Sequence, residues 1–277
     1  MNITFTRRAV LGALALAALS PSLARAAPRI VPWLHWRASD ESSTTRIDHS
    51  AWDAFLARYR IAGADGIARV RYGRVLPSDR EALSVYIDAL GGLPITMYCR
   101  AEQFPYWINL YNALAVRLVL EHYPVASILD IGPHQGRGPW HKKLIHIEGE
   151  EVGLDDIEHR ILRPFWHDPR LHYALCLAAL GSPDLPAHAF TAPGTEAMLD
   201  AAAGNFVNHP RGTRIEHGRL FVSSLYVRYK ADFGGSDRAV IAHLRRYARP
   251  ALAQALAHET RIAGDSFDWS LNDAKEF

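Results

Sequence analysis

The chain has 277 residues, 49% of them apolar, and two cysteines, so it can bury a full core with neither metal nor disulfide support. Of its 31 basic residues, Arg7, Arg8 and Arg25 fall within residues 1–26, which hold no acid, leaving 28 basic against 29 acidic side chains. The sequence pI of 8.6 therefore owes much to that segment, and nucleic acid is discounted as a partner.

Residues 1–26 read as an export signal peptide. Arg7 and Arg8 precede an apolar run from Ala9 to Leu19, and Ala24-Arg25-Ala26 stands before Ala27, the small-residue pattern of a cleavage site. Thr6-Arg7-Arg8-Ala9-Val10-Leu11 favours the twin-arginine route over an ordinary secretory signal. The run Val10–Leu19 is about half the length of a membrane helix, so the expectation is a periplasmic protein with no membrane span in the mature chain. Residues 27–48, with Pro28, Pro32 and a polar run at 39–45, are predicted to be an N-terminal tether, and residues 49–277 a single domain.

Within that domain the spacing of Trp52, Phe55, Leu56 and Tyr59 predicts a helix from Asp48 to Arg58, followed by a short strand, Ile67 to Tyr72. Ser78 or Asp79 is expected to cap a helix carrying Leu83, Tyr86, Ile87 and Leu90 and ending at Gly91-Gly92. The longest helix runs from Ala101 to His122, with Pro105 in its first turn and Pro124 past its end. It is apolar on nearly every side, which marks a buried centre and places Asn109 and Asn112 in or beside the core. After a Gly/Pro-rich loop from Gly132 to Pro139 come strands Lys143–Ile147 and Glu151–Leu154, then a helix from Asp155 to Arg163 stopped by Pro164. Further on are a helix from Glu196 to Asn208, a hairpin turning at His217-Gly218, a helix from Ser236 to Tyr247 and a last strand from Phe267 to Ser270. Without repeated strand-helix units, this order predicts an α+β fold, a helix-rich single domain around a central buried helix with short antiparallel hairpins.

Four segments carry a resemblance: Tyr106-Trp107-Ile108-Asn109-Leu110-Tyr111-Asn112-Ala113, Gly138-Pro139-Trp140, Asp155-Asp156-Ile157-Glu158-His159-Arg160-Ile161-Leu162-Arg163 and Asp232-Phe233-Gly234-Gly235. In this order they resemble the domain of unknown function 547 family over roughly Trp52 to Asn272. The resemblance implies ancestry rather than activity. After His172-Tyr173-Ala174-Leu175 it also implies two cysteines, the second just before a proline, where this chain has Leu177 and Ser182-Pro183. A cysteine mechanism is not expected here. Cys99 and Cys176 read as buried free thiols.

Several constellations invite chemistry. Asp155, His159 and Arg163 stand four apart, so a carboxylate would orient an imidazole as a general base requires; a salt-bridge ladder is the equal alternative. Glu158 lies elsewhere around the helix. Asn109 and Asn112 either lock neighbouring loops, the favoured role, or face a polar cleft. Ser182 replaces a thiol with a hydroxyl, which attacks only when a base takes its proton. The glycine-rich loop beside Trp140 lacks P-loop spacing. His141, His159 and His172 converge only if the fold brings them together, and no metal-ligand motif or cofactor signature is present. The leading expectation is a ligand- or partner-binding protein, its partner either a small ligand or an envelope protein, with Asn109, His159 and Ser182 around one cleft. The alternative is a hydrolase or acyl-transferase with His159 as base and Ser182 as nucleophile.

Overall fold

The computed structural model describes residues 31–134 and 136–274; the expected signal peptide lies outside the described residues. In chain order the elements are α1 (Ser50–Tyr59), β1 (Arg60–Ala62), β2 (Ala68–Val70), α2 (Pro77–Gly91), α3 (Arg100–His122), β3 (Lys143–Ile147) and β4 (Glu150–Gly153). A π-helix (Asp156–Leu162) then runs into α4 (Arg163–Trp166), followed by α5 (Leu171–Ala174), α6 (Thr195–Val207), β5 (Thr213–Glu216) and β6 (Arg219–Ser223). The last elements are α7 (Ser224–Arg228), α8 (Asp237–Tyr247), α9 (Pro250–Ala255) and β7 (Gly264–Ser266). The fold is the expected α+β single domain.

The central helix is α3, buried from Glu102 through Val116 and again from Leu118 to Leu120. It packs against α2 and the π-helix and forms the axis of the larger hydrophobic cluster, which also takes in Trp36, Trp52, Leu154 and Ile157. Pro105 lies in its second turn rather than its first. Ala101, whose carbonyl thereby loses its amide donor, is exposed to solvent, so water can take the donor's place. A second cluster gathers Phe206, Leu220, Tyr226, Phe233 and Val240 with Tyr173 of α5.

The sheets are short: β1 with β2, β3 with β4, and β5 with β6, all antiparallel. The β5–β6 hairpin turns at His217 (φ 51°) and Gly218 (φ 68°), a pair of left-handed residues that matches strand twist. The final strand differs from expectation. It is β7, parallel to β6, whereas residues 268–270 instead bond the backbone of Leu180 and Gly181; the sheet edge offered by β6 decided the register, which an isolated apolar run does not encode. Helix α2 starts at Pro77, whose fixed φ and missing N–H suit the first turn, so neither Ser78 nor Asp79 is its cap.

Two other expectations need correction. Pro164 does not stop the helix after Arg163: the helical run continues through it into α4, and the Arg160 carbonyl, four residues back and deprived of a donor by the proline ring, is met by the Trp33 N–H at 2.9 Å; the chain turns only at His167, in a left-handed conformation. Residues 31–48 are no free tether. Trp36 is 1% exposed with its ring edge-on to Trp107 at 5.1 Å, the Trp33 N–H donates to the Arg160 carbonyl, and Gln103 donates to the Ala38 carbonyl.

Candidate functional site

Asn109 and Asn112 are both fully buried, and each side-chain amide makes a two-way clamp on backbone. The Asn109 Nδ2 donates to the Phe190 carbonyl at 2.8 Å, and its Oδ1 accepts from the Phe190 N–H at 2.9 Å. Asn112 does the same at the other end of the segment, donating to Ala174 and accepting from the Cys176 N–H, each at 2.9 Å. Three residues apart on α3, they lock both ends of the stretch from 174 to 190, the role favoured for amides that must find partners once buried.

Ser182 belongs to the same stretch. It is 0% exposed, and its Oγ accepts the Leu177 N–H at 2.8 Å. Hydroxyl and backbone thus join the two positions where the resemblance implied cysteines. Both cysteines are free thiols, Cys176 buried as expected but Cys99 only half-buried, and burial pushes Cys176 up to about 11, far from the range of a reactive thiolate.

The stretch held in this way forms one wall of a pocket of about 260 Å³, whose other wall is α6. Tyr173, Leu185, Phe190, Met198 and Phe206 give it apolar faces, and Arg60, Asp184, His188 and Asn205 give it a polar rim. The Asp184 carboxylate is committed to the Ala68 N–H and to Arg211. Asn109 and Ser182 shape this pocket from behind without lining it.

The remaining motif residues converge elsewhere. Arg163 forks onto Asp232, Nε to Oδ2 at 2.7 Å and Nη2 to Oδ1 at 2.9 Å, a bidentate charge-assisted pair. His172 Nε2 also meets Asp232 Oδ2, at 2.7 Å, and its ring stacks on Tyr229 with centroids 4.1 Å apart. The widened π-turn brings Glu158, expected on another side of the helix, between His159 (3.8 Å) and His172 (3.8 Å). Burial alone would raise Glu158, but the two imidazoles, the Tyr229 hydroxyl and Arg163 outweigh it and hold the carboxyl below its usual value. Burial likewise opposes ionisation of Asp232, and hydrogen bonds from His172 and Arg163 more than reverse that, holding it well below the carboxylate range.

Asp155 sits between two imidazoles. Its Oδ1 is 3.6 Å from His159 Nε2, and its Oδ2 is 2.5 Å from His141 Nδ1. At His159, Arg163 can only donate, so Nδ1 accepts its N–H at 3.3 Å and the ring proton belongs on Nε2, facing Asp155. Nδ1 is therefore occupied, and Nε2 faces the Asp155 carboxylate across 3.6 Å. Burial lowers the pKa of His159 and raises that of Asp155. His141, whose side chain is 92% exposed, is the imidazole that Asp155 orients toward solvent. Trp140 contributes backbone as well as ring: its carbonyl accepts the Asp155 N–H, and its ring packs against Trp269. In the loop before it, the Gly136 and Gly138 amides both donate to the Leu129 carbonyl, so they are not directed at an anion.

The expected trio is thus split: Asn109 and Ser182 belong to the locked segment, His159 to the buried ionic cluster. His141, His159 and His172, which could meet only through the fold, do gather around Asp155 and Glu158. Sequence reasoning missed Asp232 and Tyr229 as cluster members: Asp232 was legible only as the first residue of a resembling segment, and Tyr229 carried no signal of spacing. A cleft of about 350 Å³ opens over Arg163 and Asp232, between His167, Asp168, Leu171 and Ala231. Among the described residues, no group of three or more His, Cys, Asp or Glu side chains is arranged to hold a metal, and no helix is long and apolar enough to cross a membrane.

Residues 95–207 match the family model described as "Protein of unknown function, DUF547". This segment belongs to the DUF547 family. It contains α3 with both asparagine clamps, the π-helix, His172 and Ser182, and it ends before Asp232, which the fold returns to the DUF547 segment through Arg163 and His172. No curated protein and no solved structure gives a match.

Proposed function

We propose that this DUF547 protein is an exported, periplasmic binding protein that takes a small ligand between the segment at 174–190 and α6. The observation that carries the reading is the commitment of Ser182: its hydroxyl is an internal acceptor for Leu177, in a segment held open as a pocket wall by two asparagine clamps. Binding pockets of this kind combine apolar walls with a few placed polar groups. The hydrolase or acyl-transferase reading would need a solvent-open Ser182 hydroxyl and a free nitrogen on His159. Ser182 is fully buried, and both His159 nitrogens face partners.

The test is a binding screen by thermal shift with the purified mature protein, using small acids, alcohols, amines and peptidoglycan fragments. Met198→Trp, which fills the pocket from α6, is expected to abolish every shift seen with the native chain while the variant still melts cooperatively. Shifts that persist in Met198→Trp would move the ligand elsewhere. Turnover of an ester or amide that Ser182→Ala abolishes would overturn the binding reading. For the location, periplasmic release of a tagged full-length chain is expected, lost when Arg7 and Arg8 are both changed to Lys if the twin-arginine route is used.

A further inference from the structure

We infer that the ligand of the pocket between the segment at 174–190 and α6 is a small monocarboxylate with an apolar body, its carboxylate held by Arg60. The inference rests on the binding reading above and adds the chemistry of the ligand. Arg60 lies at the start of β1 and lines the pocket. Its Nε donates to the Leu185 carbonyl at 2.9 Å, which fixes the guanidinium plane against the same wall that carries Pro186 and Phe190. Its two terminal nitrogens have no hydrogen bond or ion pair among the described residues. A guanidinium held by one nitrogen, with its other donors free, presents the fork geometry that matches a carboxylate.

The other charges at the rim do not compete for that position. Asp184, the one lining carboxylate, is paired through its Oδ1 with the Ala68 N–H and with Arg211, so its charge is balanced by Arg211 rather than by Arg60. His188 stands at the mouth, 3.9 Å from Asp53. The remaining wall, Tyr173, Leu185, Phe190, Met198 and Phe206, offers rings and aliphatic surface and no further cation. A volume of about 260 Å³ falls below the range typical of drug-sized ligands, so the apolar body is a short alkyl chain or a single ring. A phosphate or sulfate would satisfy the cation and leave the apolar wall uncovered; an alcohol would cover the wall and leave the cation unmet.

The experiment is isothermal titration of the mature protein with octanoate and phenylacetate, with octanol, octylamine and inorganic phosphate as comparators. Expected are binding of at least one of the two acids, about tenfold weaker binding of octanol than of octanoate, and none of octylamine or phosphate. Arg60→Gln is expected to lower affinity for the acid about tenfold and leave octanol unchanged, and Arg60→Lys to restore part of the loss. Octanol binding as tightly as octanoate, or Arg60→Gln without effect on the acid, overturns the carboxylate assignment and leaves the pocket standing. If neither acid nor alcohol binds at millimolar concentration, the inference and the pocket reading fall together. Melting curves of both Arg60 variants separate lost affinity from lost fold.

Discussion

At the scale of single residues, the buried amides make the sharpest case. Asn112 holds a carbonyl and an N–H that have no access to water, and Asn109 holds another such pair. Asn112→Ala leaves Ala174 and Cys176 each with an unmet group, and unmet buried groups cost about 1–3 kcal/mol apiece. A loss of about 3 kcal/mol is expected, read from the midpoint of urea unfolding; a loss below about 1 kcal/mol would mean that water replaces the clamp. Ser182→Ala removes a single acceptor and should cost about 1–2 kcal/mol without changing ligand affinity. That split distinguishes a structural hydroxyl from a nucleophile. His243 supplies a pH signature. Burial lowers its pKa to about 4, and its Nε2 faces the Tyr173 hydroxyl at 2.8 Å. Because the folded state binds the proton less readily than the unfolded chain, stability falls as the pH drops from about 6.5 toward 4. His159 and His49, also lowered by burial, add to the same fall. Glu158 and Asp232 extend it to lower pH, since carboxylates held below their usual values stabilise the fold only while ionised, whereas Asp155, raised by burial, works against the trend. His243→Gln, which keeps a hydrogen-bonding side chain, should flatten the slope between pH 6.5 and 4 in a series of urea titrations.

Among the elements, the π-helix does what an α-helix of the same sequence would not. Its wider turn sets Glu158 near His172, and Arg163, the first residue of α4 directly after it, is tied to Asp232 in the segment after α7 by two forked bonds. Such turns are rare and concentrate at functional sites, which agrees with the resembling segments meeting here. Asp232→Ala would leave Arg163 as a buried charge without its forked partner, a change that typically costs about 3–5 kcal/mol. Replacing both partners, Arg163→Met with Asp232→Leu, should cost less than Asp232→Ala alone. A double variant no more stable than the single one would show that the pair is needed for more than mutual charge compensation. The π-turn itself was not legible: the spacing of Asp155, His159 and Arg163 fits an α-helix equally well, and the i→i+5 bonding appears only in the folded segment, where it packs against α3 and β4.

Over the whole molecule, the segment from 31 to 48 is part of the body of the domain. Trp36 is buried against Trp107 of α3, and Arg160 lies over the Trp33 ring at 4.3 Å. Trp36→Ala is expected to destabilise the protein by about 3–5 kcal/mol, the range for emptying a large aromatic site, as measured by chemical denaturation. A cost under about 1 kcal/mol would restore the tether reading. Composition could not announce this docking, because prolines and a polar run mark irregular backbone and say nothing about whether two tryptophans beside them find a surface.

The sequence by itself determined the central helix, the β3–β4 and β5–β6 hairpins, the helices at 195–207 and 237–247 and the family segment, because apolar periodicity and turn residues act over a few neighbours and need no distant partner. Only the tertiary structure decided that Asn109 and Asn112 grip a segment more than sixty residues away, that Asp155 orients His141 rather than leaving His159 free, and that Ser182 is turned inward. Each of those depends on hydrogen-bonding groups that meet only after the core has closed, and a linear pattern carries no record of which buried donor will face which acceptor.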